Sequence, residues 1–163
     1  TDAFLLLRAT QLGVPVALAP VLWALLHVVK SLSSTPGGTL SDRAGRSPTL
    51  IAGWLLYAAV YAGFALSSEA WHAWTLFAVY GVYFGLTEGT ERALIADIVP
   101  PERRGSAYGW YHLAVGVGMF PASLLFGVLW DKAGAPIAFF VGAMLAVAAA
   151  IGLQVALRAA PPR

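Results

Sequence analysis

The sequence predicts an all-α integral membrane protein with several crossings, because charge is scarce and what charge there is falls between long apolar runs. Of 163 residues, 59% are hydrophobic and 11% are charged, and the mean hydropathy is +0.73. A soluble domain carries about 25% charged residues. Five runs hold no Asp, Glu, Lys or Arg: Ala9–Val29, Ser47–Ser68, Ala70–Thr87, Gly105–Trp130 and Ala133–Leu157. A helix needs roughly 20 apolar residues to cross a bilayer, and each run reaches or approaches that length. The runs are continuous rather than alternating in period two, which excludes a strand-built barrel. A soluble domain, a disordered tail and a nucleic-acid partner are excluded with it.

The elements follow in order. Residues 1–10 read as the end of a truncated transmembrane helix, since Asp2 passes at once into Phe4-Leu5-Leu6-Leu7, and a piece of a longer protein is expected. Gln11–Pro15 is a turn punctuated by Gly13 and Pro15. Residues 11–158 then hold five spans, at about Val14–Ser34, Thr49–Ser67, Trp74–Ile98, Ser106–Leu129 and Pro136–Leu157. Pro36-Gly37-Gly38 opens a loop over residues 37–48, and Trp71 and Trp74 edge the turn at Ser68–His72, where tryptophans favour the headgroup level. Pro100-Pro101 stops the third span. Residues 159–163, with Pro161-Pro162, form a tail that cannot continue a helix.

Lys and Arg set the orientation. Arg43, Arg46, Arg103, Arg104, Arg158 and Arg163 gather on one side, against Lys132 and Arg8 on the other. Positive residues mark the cytoplasmic side, so the 37–48 segment and the C-terminus are expected there, in a multi-pass cell-membrane protein. The sequence has no cysteine, so disulfides and thiolate metal sites are excluded.

An internal repeat defines the architecture. Gly38-Thr39-Leu40-Ser41-Asp42-Arg43-Ala44-Gly45 and Gly127-Val128-Leu129-Trp130-Asp131-Lys132-Ala133-Gly134 both read Gly-x-Leu-x-Asp-(Arg/Lys)-Ala-Gly. A proline follows each copy, Pro48 and Pro136. Three crossings separate them, so they lie on opposite faces, which is the pattern of inverted three-helix repeats found in many secondary transporters.

The stretch Gly38–Arg46 resembles the loop motif G-x-L-x-D-R-x-G-R of the major facilitator superfamily. Glu88-Gly89 followed by Ile95–Gly105 is similar to that family's cytoplasmic loop two helices further on. The N-terminal half of such proteins has an Arg early in its fourth helix and Gly-Pro-x-x-Gly-Gly in its fifth. Here Tyr80-Gly81-Val82-Tyr83 and Phe120-Pro121-Ala122-Ser123 stand instead, so the resemblance implies the C-terminal half, about five full spans plus the end of a sixth. It also implies a missing N-terminal half as partner, a small-molecule substrate, a bacterial inner membrane and no cofactor.

The motif has its own physical reading. Gly37 and Gly38 allow two helix ends to approach, and Asp42 suits the N-terminus of a neighbouring helix. Arg43 and Arg46 suit Asp97 or Glu102 as partners. With Gly38, Asp42, Gly45 and Asp97 the two arginines form a candidate conformational latch; the alternative is plain topology charges.

The third span carries the informative charges, Glu88, Glu91 and Arg92. At 1.5 Å per residue Glu88 lies roughly 21 Å from Trp74 and roughly 18 Å from Pro100. A charge at that depth defaults to a functional role. Glu88 and Arg92 are i,i+4 and can neutralise each other, which leaves Glu91 as the carboxylate that takes up and releases a proton. Tyr80, Tyr83, Phe84 and Thr87 extend the face as aromatic walls and hydroxyls. A ladder of small residues, Gly81, Gly85, Gly89 and Ala93, runs beside it and allows close helix contact. The alternative is a rigid seam with a structural ion pair.

Further cavity candidates are His27, Asp2 and Arg8, the last two because helix seven lines the central cavity in the resembled family. Lys30, one helical turn from His27, is expected to snorkel to the interface. Tyr108, Trp110, Tyr111 and His112 are expected as an interfacial aromatic belt. Metalloprotease, phosphate-loop and serine-hydrolase motifs are absent, and the histidines lack metal-ligand spacing; no enzyme, metal or nucleotide chemistry is expected. Two functions remain: half of a secondary active transporter working by alternating access and proton coupling, or a non-transporting membrane scaffold that assembles through its small-residue helix faces.

Overall fold

The computed structural model describes residues 2–159, and every regular element in that range is helical. α1 is Asp2–Gln11, α2 Ala19–Ala44, α3 Arg46–Leu66, α4 Ala70–Ile98, α5 Arg104–Ala133 and α6 Ala135–Ala159. The expected tail at 160–163, with Pro161-Pro162 and Arg163, lies outside the described residues, as does Thr1. Among the described residues, α2, α3, α5 and α6 are long and apolar enough to cross a membrane. α4 has the length, with 29 residues, or about 43 Å of helix. Its charge-free stretch, Ala70–Thr87, is made less apolar by Trp71, His72, Trp74, Tyr80 and Tyr83, and Glu88, Glu91 and Arg92 follow it.

The two halves of the chain repeat one plan. α1, α2 and α3 are answered by α4, α5 and α6. A single 3₁₀ turn, Val16–Leu18 or Pro101–Arg103, leads into the second helix of each unit, entered in each case from a proline with near-identical backbone angles. The second and third helices are joined by one residue, Gly45 or Gly134. Gly45 has φ 97° and ψ 156°, and Gly134 has φ 88° and ψ 163°. That region is open essentially to glycine alone. Gly45 N–H donates to the Ser41 carbonyl at 3.1 Å, and Gly134 N–H to the Trp130 carbonyl at 3.0 Å. The motif copies are thus two equivalent corners, closing opposite ends of the bundle.

This corrects the expected loop over residues 37–48. α2 runs through Pro36-Gly37-Gly38 as far as Ala44, and only Gly45 turns the chain. Pro36 leaves the Leu32 carbonyl without its helical N–H donor; nearby, Ser34 Oγ donates to the Lys30 carbonyl at 2.7 Å and Thr39 Oγ1 to the Thr35 carbonyl at 3.0 Å. Packing against a neighbouring helix lets a membrane helix tolerate proline, and here Gly37 lies directly against the Gly85 backbone of α4.

α2 crosses α4 at very close range, and here the small residues act. A Cβ on Gly37 would come within 2.3 Å of the Gly85 carbonyl oxygen, and one on Gly85 within 2.4 Å of Ser33 Cβ. One on Gly81 would lie 2.7 Å from the Leu26 carbonyl oxygen. Gly38 and Gly89, expected in the same role, meet nothing within 4 Å; they face away from the seam. The second large interface pairs α3 with α6. Between these seams lies an aromatic core in which Phe64 stacks on Phe139 at 5.4 Å and meets Phe77 edge-on at 5.8 Å.

Candidate functional site: a charged cleft between α2, α4 and α5

α4 presents Tyr83, Phe84, Thr87, Glu88, Glu91 and Arg92 to a cleft of about 240 Å³, closed from α2 by Lys30 and from α5 by Tyr111, His112 and Val115. A second chamber of about 210 Å³ adjoins it and shares Lys30 and Phe84; Asp2, Trp23, Leu26 and His27 complete it. Small residues at Gly81 and Gly85 bring α2 close enough for Lys30 to reach α4.

Glu88 is the centre of a triad. One of its oxygens pairs with Lys30 Nζ, the other with Arg92 Nη2 at 2.8 Å. The expected Glu88–Arg92 pair is present, and Lys30 joins it. Lys30 therefore does not snorkel to the interface; its ammonium also lies 5.1 Å from the centre of the Phe84 ring. A carboxylate at depth attracts the nearest cation, and α2 supplies one.

Glu91 stands apart from both cations. Its Oε2 accepts from the phenol of Tyr111 at 2.5 Å. Tyr108 donates to the Arg92 carbonyl at 2.9 Å. The expected aromatic belt is therefore divided: Tyr108 and Tyr111 reach back to α4, while Trp110 is 72% exposed. Asp2 accepts from the Tyr80 phenol through Oδ1 at 2.9 Å. Tyr80, 2% exposed, is held parallel to Tyr83 at 5.4 Å. Thr87 is buried, and its hydroxyl donates to the Tyr83 carbonyl at 3.0 Å.

Arg8 is not in the cleft. Its guanidinium donates to the carbonyls of Phe64 at 3.2 Å and Ser67 at 2.8 Å, closing the C-terminal end of α3, where unpaired carbonyls favour a cation. Asp2 and Arg8, six residues apart on α1, serve different places: Asp2 the middle of α4 at Tyr80 and Arg8 the end of α3.

At the end of the bundle bearing Gly45, Arg46 joins three partners. Nη1 donates to Asp42 Oδ1 at 2.5 Å and to Ser41 Oγ at 3.1 Å, and Nε donates to Asp97 Oδ2 at 3.1 Å. The corner between α2 and α3 is thereby tied to the end of α4. Asp42 caps no helix and is held by Arg46 itself. Arg43 is exposed and has no ion pair among the described residues. Glu102, weighed as an alternative, is exposed while Asp97 holds the guanidinium.

Lys30, Tyr111 and His112 are cleft residues that sequence reasoning placed elsewhere. All three lie on helices other than α4, and no spacing within α4 reports them. No three His, Asp or Glu side chains converge as a metal site among the described residues.

Comparison with known proteins agrees with the architecture. Residues 3–163 match the family model of the Major Facilitator Superfamily. An uncharacterized MFS-type transporter of Methanocaldococcus jannaschii is 32% identical over 144 residues, covering 88% of this chain and 35% of its own length. Multidrug resistance protein MdtH of Yersinia enterocolitica is 30% identical over 135 residues, and that of Edwardsiella ictaluri 31% identical over 138. Each of these two alignments covers 83% of this chain and 30% of the relative. The chain spans about a third of the length of the curated relatives it matches.

Proposed function

The chain belongs to the major facilitator superfamily, and on that premise we propose that it is the C-terminal half of a secondary transporter that moves a small solute across the cell membrane by alternating access, with Glu91 as the proton-coupling carboxylate. The observation that carries the reading is the isolation of Glu91. Lys30 and Arg92 are both committed to Glu88, so Glu91 faces the cleft with a neutral phenol as partner. A carboxylate without a fixed counter-charge can lose and regain a proton without breaking an ion pair, which is the property a coupling site needs.

The cleft supplies the rest of the site: aromatic walls at Tyr83 and Phe84, and two chambers that meet at Lys30. The solute is a small organic molecule, a reading supported by the names of the MdtH relatives. Arg46, bridging Asp42 and Asp97, serves as the latch that holds one arrangement of the cytoplasmic end. The open apolar face of α5, with Leu113, Val117, Met119 and Phe120 exposed, is assigned to the N-terminal half. The scaffold alternative loses its main support because Gly81 and Gly85 are already filled by α2 of the same chain.

The test is solute flux into sealed vesicles containing the complete native polypeptide, with and without an imposed pH gradient. Gradient-dependent flux that Glu91→Gln abolishes supports the proposal. Flux that ignores the gradient removes the proton from the mechanism, and no flux for any solute favours a scaffold.

A further inference from the structure

The seam between α3 and α6 opens outward into a groove of about 310 Å³. Ile51 and Leu55 of α3 and Ile151 and Val155 of α6 form its apolar walls. Ala150, small and buried, leaves the space between them. Leu55, Ile151 and Val155 are about half exposed, so the groove is open to what surrounds the bundle. It shares no residue and no helix with the charged cleft or its second chamber.

Two polar side chains interrupt this apolar surface. Gln154 and Arg158 are the only polar side chains of α6. Four residues apart, they share one face of the helix, and both line the groove. Neither has a hydrogen-bond or ion-pair partner among the described residues. α3 begins at Arg46 and α6 ends at Ala159, so this end of the groove meets the membrane surface that holds the Gly45 corner. Gln154 lies roughly 6 Å deeper than Arg158, and Leu55 roughly 13 Å in from Arg46. Polarity therefore falls with depth, from a cation through an amide to hydrocarbon side chains. A phospholipid presents the matching order, from phosphate through ester carbonyl to acyl chain. An amide that faces hydrocarbon needs a polar partner, and a lipid ester supplies one.

We propose that this groove binds one phospholipid of net negative charge. Its phosphate pairs with the Arg158 guanidinium, whose planar fork suits two phosphate oxygens. The Gln154 amide donates to an ester carbonyl, and one acyl chain lies between Ile51, Leu55, Ile151 and Val155. No acidic side chain lines the groove among the described residues. A negative lipid therefore leaves the site neutral, as basic residues at a membrane surface favour, whereas a zwitterionic lipid brings a cation that nothing in the groove meets. The site is independent of the transport reading, because it uses faces of α3 and α6 that the cleft does not.

The experiment places the complete native polypeptide in phosphatidylcholine vesicles with a trace of phosphatidylglycerol carrying a photoreactive acyl chain. Labelled peptides are read by mass. Labelling is expected on the peptides holding residues 51–55 and 150–155, and unlabelled phosphatidylglycerol is expected to displace it. Photoreactive phosphatidylcholine at the same trace level is the control and should label them far less. Arg158→Gln is expected to lower phosphatidylglycerol labelling about tenfold, the scale of one lost charge-assisted contact, and Arg158→Lys to retain part of it. Leu55→Trp fills the groove with Arg158 intact and is expected to lower labelling as well. Equal labelling by the two probes means ordinary bilayer contact and overturns the site. Labelling that either Arg158→Gln or Leu55→Trp leaves unchanged overturns it too. Absence of label on both peptides means that protein, a second copy or the rest of the polypeptide, covers the groove, and this also overturns the proposal.

Discussion

The Tyr111 phenol donates to Glu91 across the gap between α5 and α4 at 2.5 Å, and it is the one side-chain donor that the structure gives this carboxylate among the described residues. A hydrogen bond to a charged group contributes about 1.5–3 kcal/mol. Tyr111→Phe keeps the ring and removes the donor, so proton-driven flux is expected to fall by about tenfold or more with expression unchanged. Flux equal to wild type would mean that the phenol is incidental to Glu91.

The seam between α2 and α4 gives a contrast within one residue type. Gly37→Ala and Gly85→Ala place a methyl group against backbone or Ser33 at 2.3–2.4 Å, and overpacking of this kind costs about 1–3 kcal/mol. Gly38→Ala and Gly89→Ala place it in open space and improve helix propensity by up to about 1 kcal/mol. Thermal unfolding in detergent is expected to fall for the first pair and to hold or rise for the second. The same response from all four would remove the seam.

Gly45 and Gly134 provide a test of the repeat. Each turns its corner with φ near 90° and an extended ψ, so alanine at either position is expected to cost about 1–3 kcal/mol. Unfolding temperatures of Gly45→Ala and Gly134→Ala should drop by similar amounts. A drop at one corner alone would break the equivalence of the two units.

The architecture was legible in the sequence for a physical reason. Span lengths and the repeated Gly-x-Leu-x-Asp-(Arg/Lys)-Ala-Gly are properties of consecutive residues. What could not be read was which way each helix turns its faces toward its neighbours. Pro36-Gly37-Gly38 has the composition of a turn, yet α2 continues through it, and Gly37 packs there against the Gly85 backbone of α4. Lys30 and Tyr111 have side chains suited equally to an interface and to a cleft, and only the azimuths of α2 and α5 around α4 decide. Arg8 shows the converse: it was placed in a cavity by analogy and is bound to the carbonyls at the end of α3.

The latch separates stability from rate. Exposed ion pairs contribute roughly 0–1 kcal/mol, so Asp97→Asn is expected to leave the unfolding temperature almost unchanged. It is also expected to alter the flux rate, since it frees the α4 end from the corner at Gly45. Arg46→Lys should behave similarly, because an ammonium does not reproduce the forked contacts of Arg46 with Ser41, Asp42 and Asp97. Arg43→Ala, which removes no ion pair among the described residues, serves as the control. Identical rates for all of these would reduce Arg46 to a topology charge.

The most direct test of proton coupling is solute flux in sealed vesicles of the complete native polypeptide, comparing wild type with Glu91→Gln across an imposed pH gradient. Coupling through Glu91 predicts that wild-type flux follows the gradient, and that the variant is correctly folded and insensitive to it. A Glu91→Gln protein whose flux still follows the gradient as wild type does would contradict the assignment of the proton to Glu91.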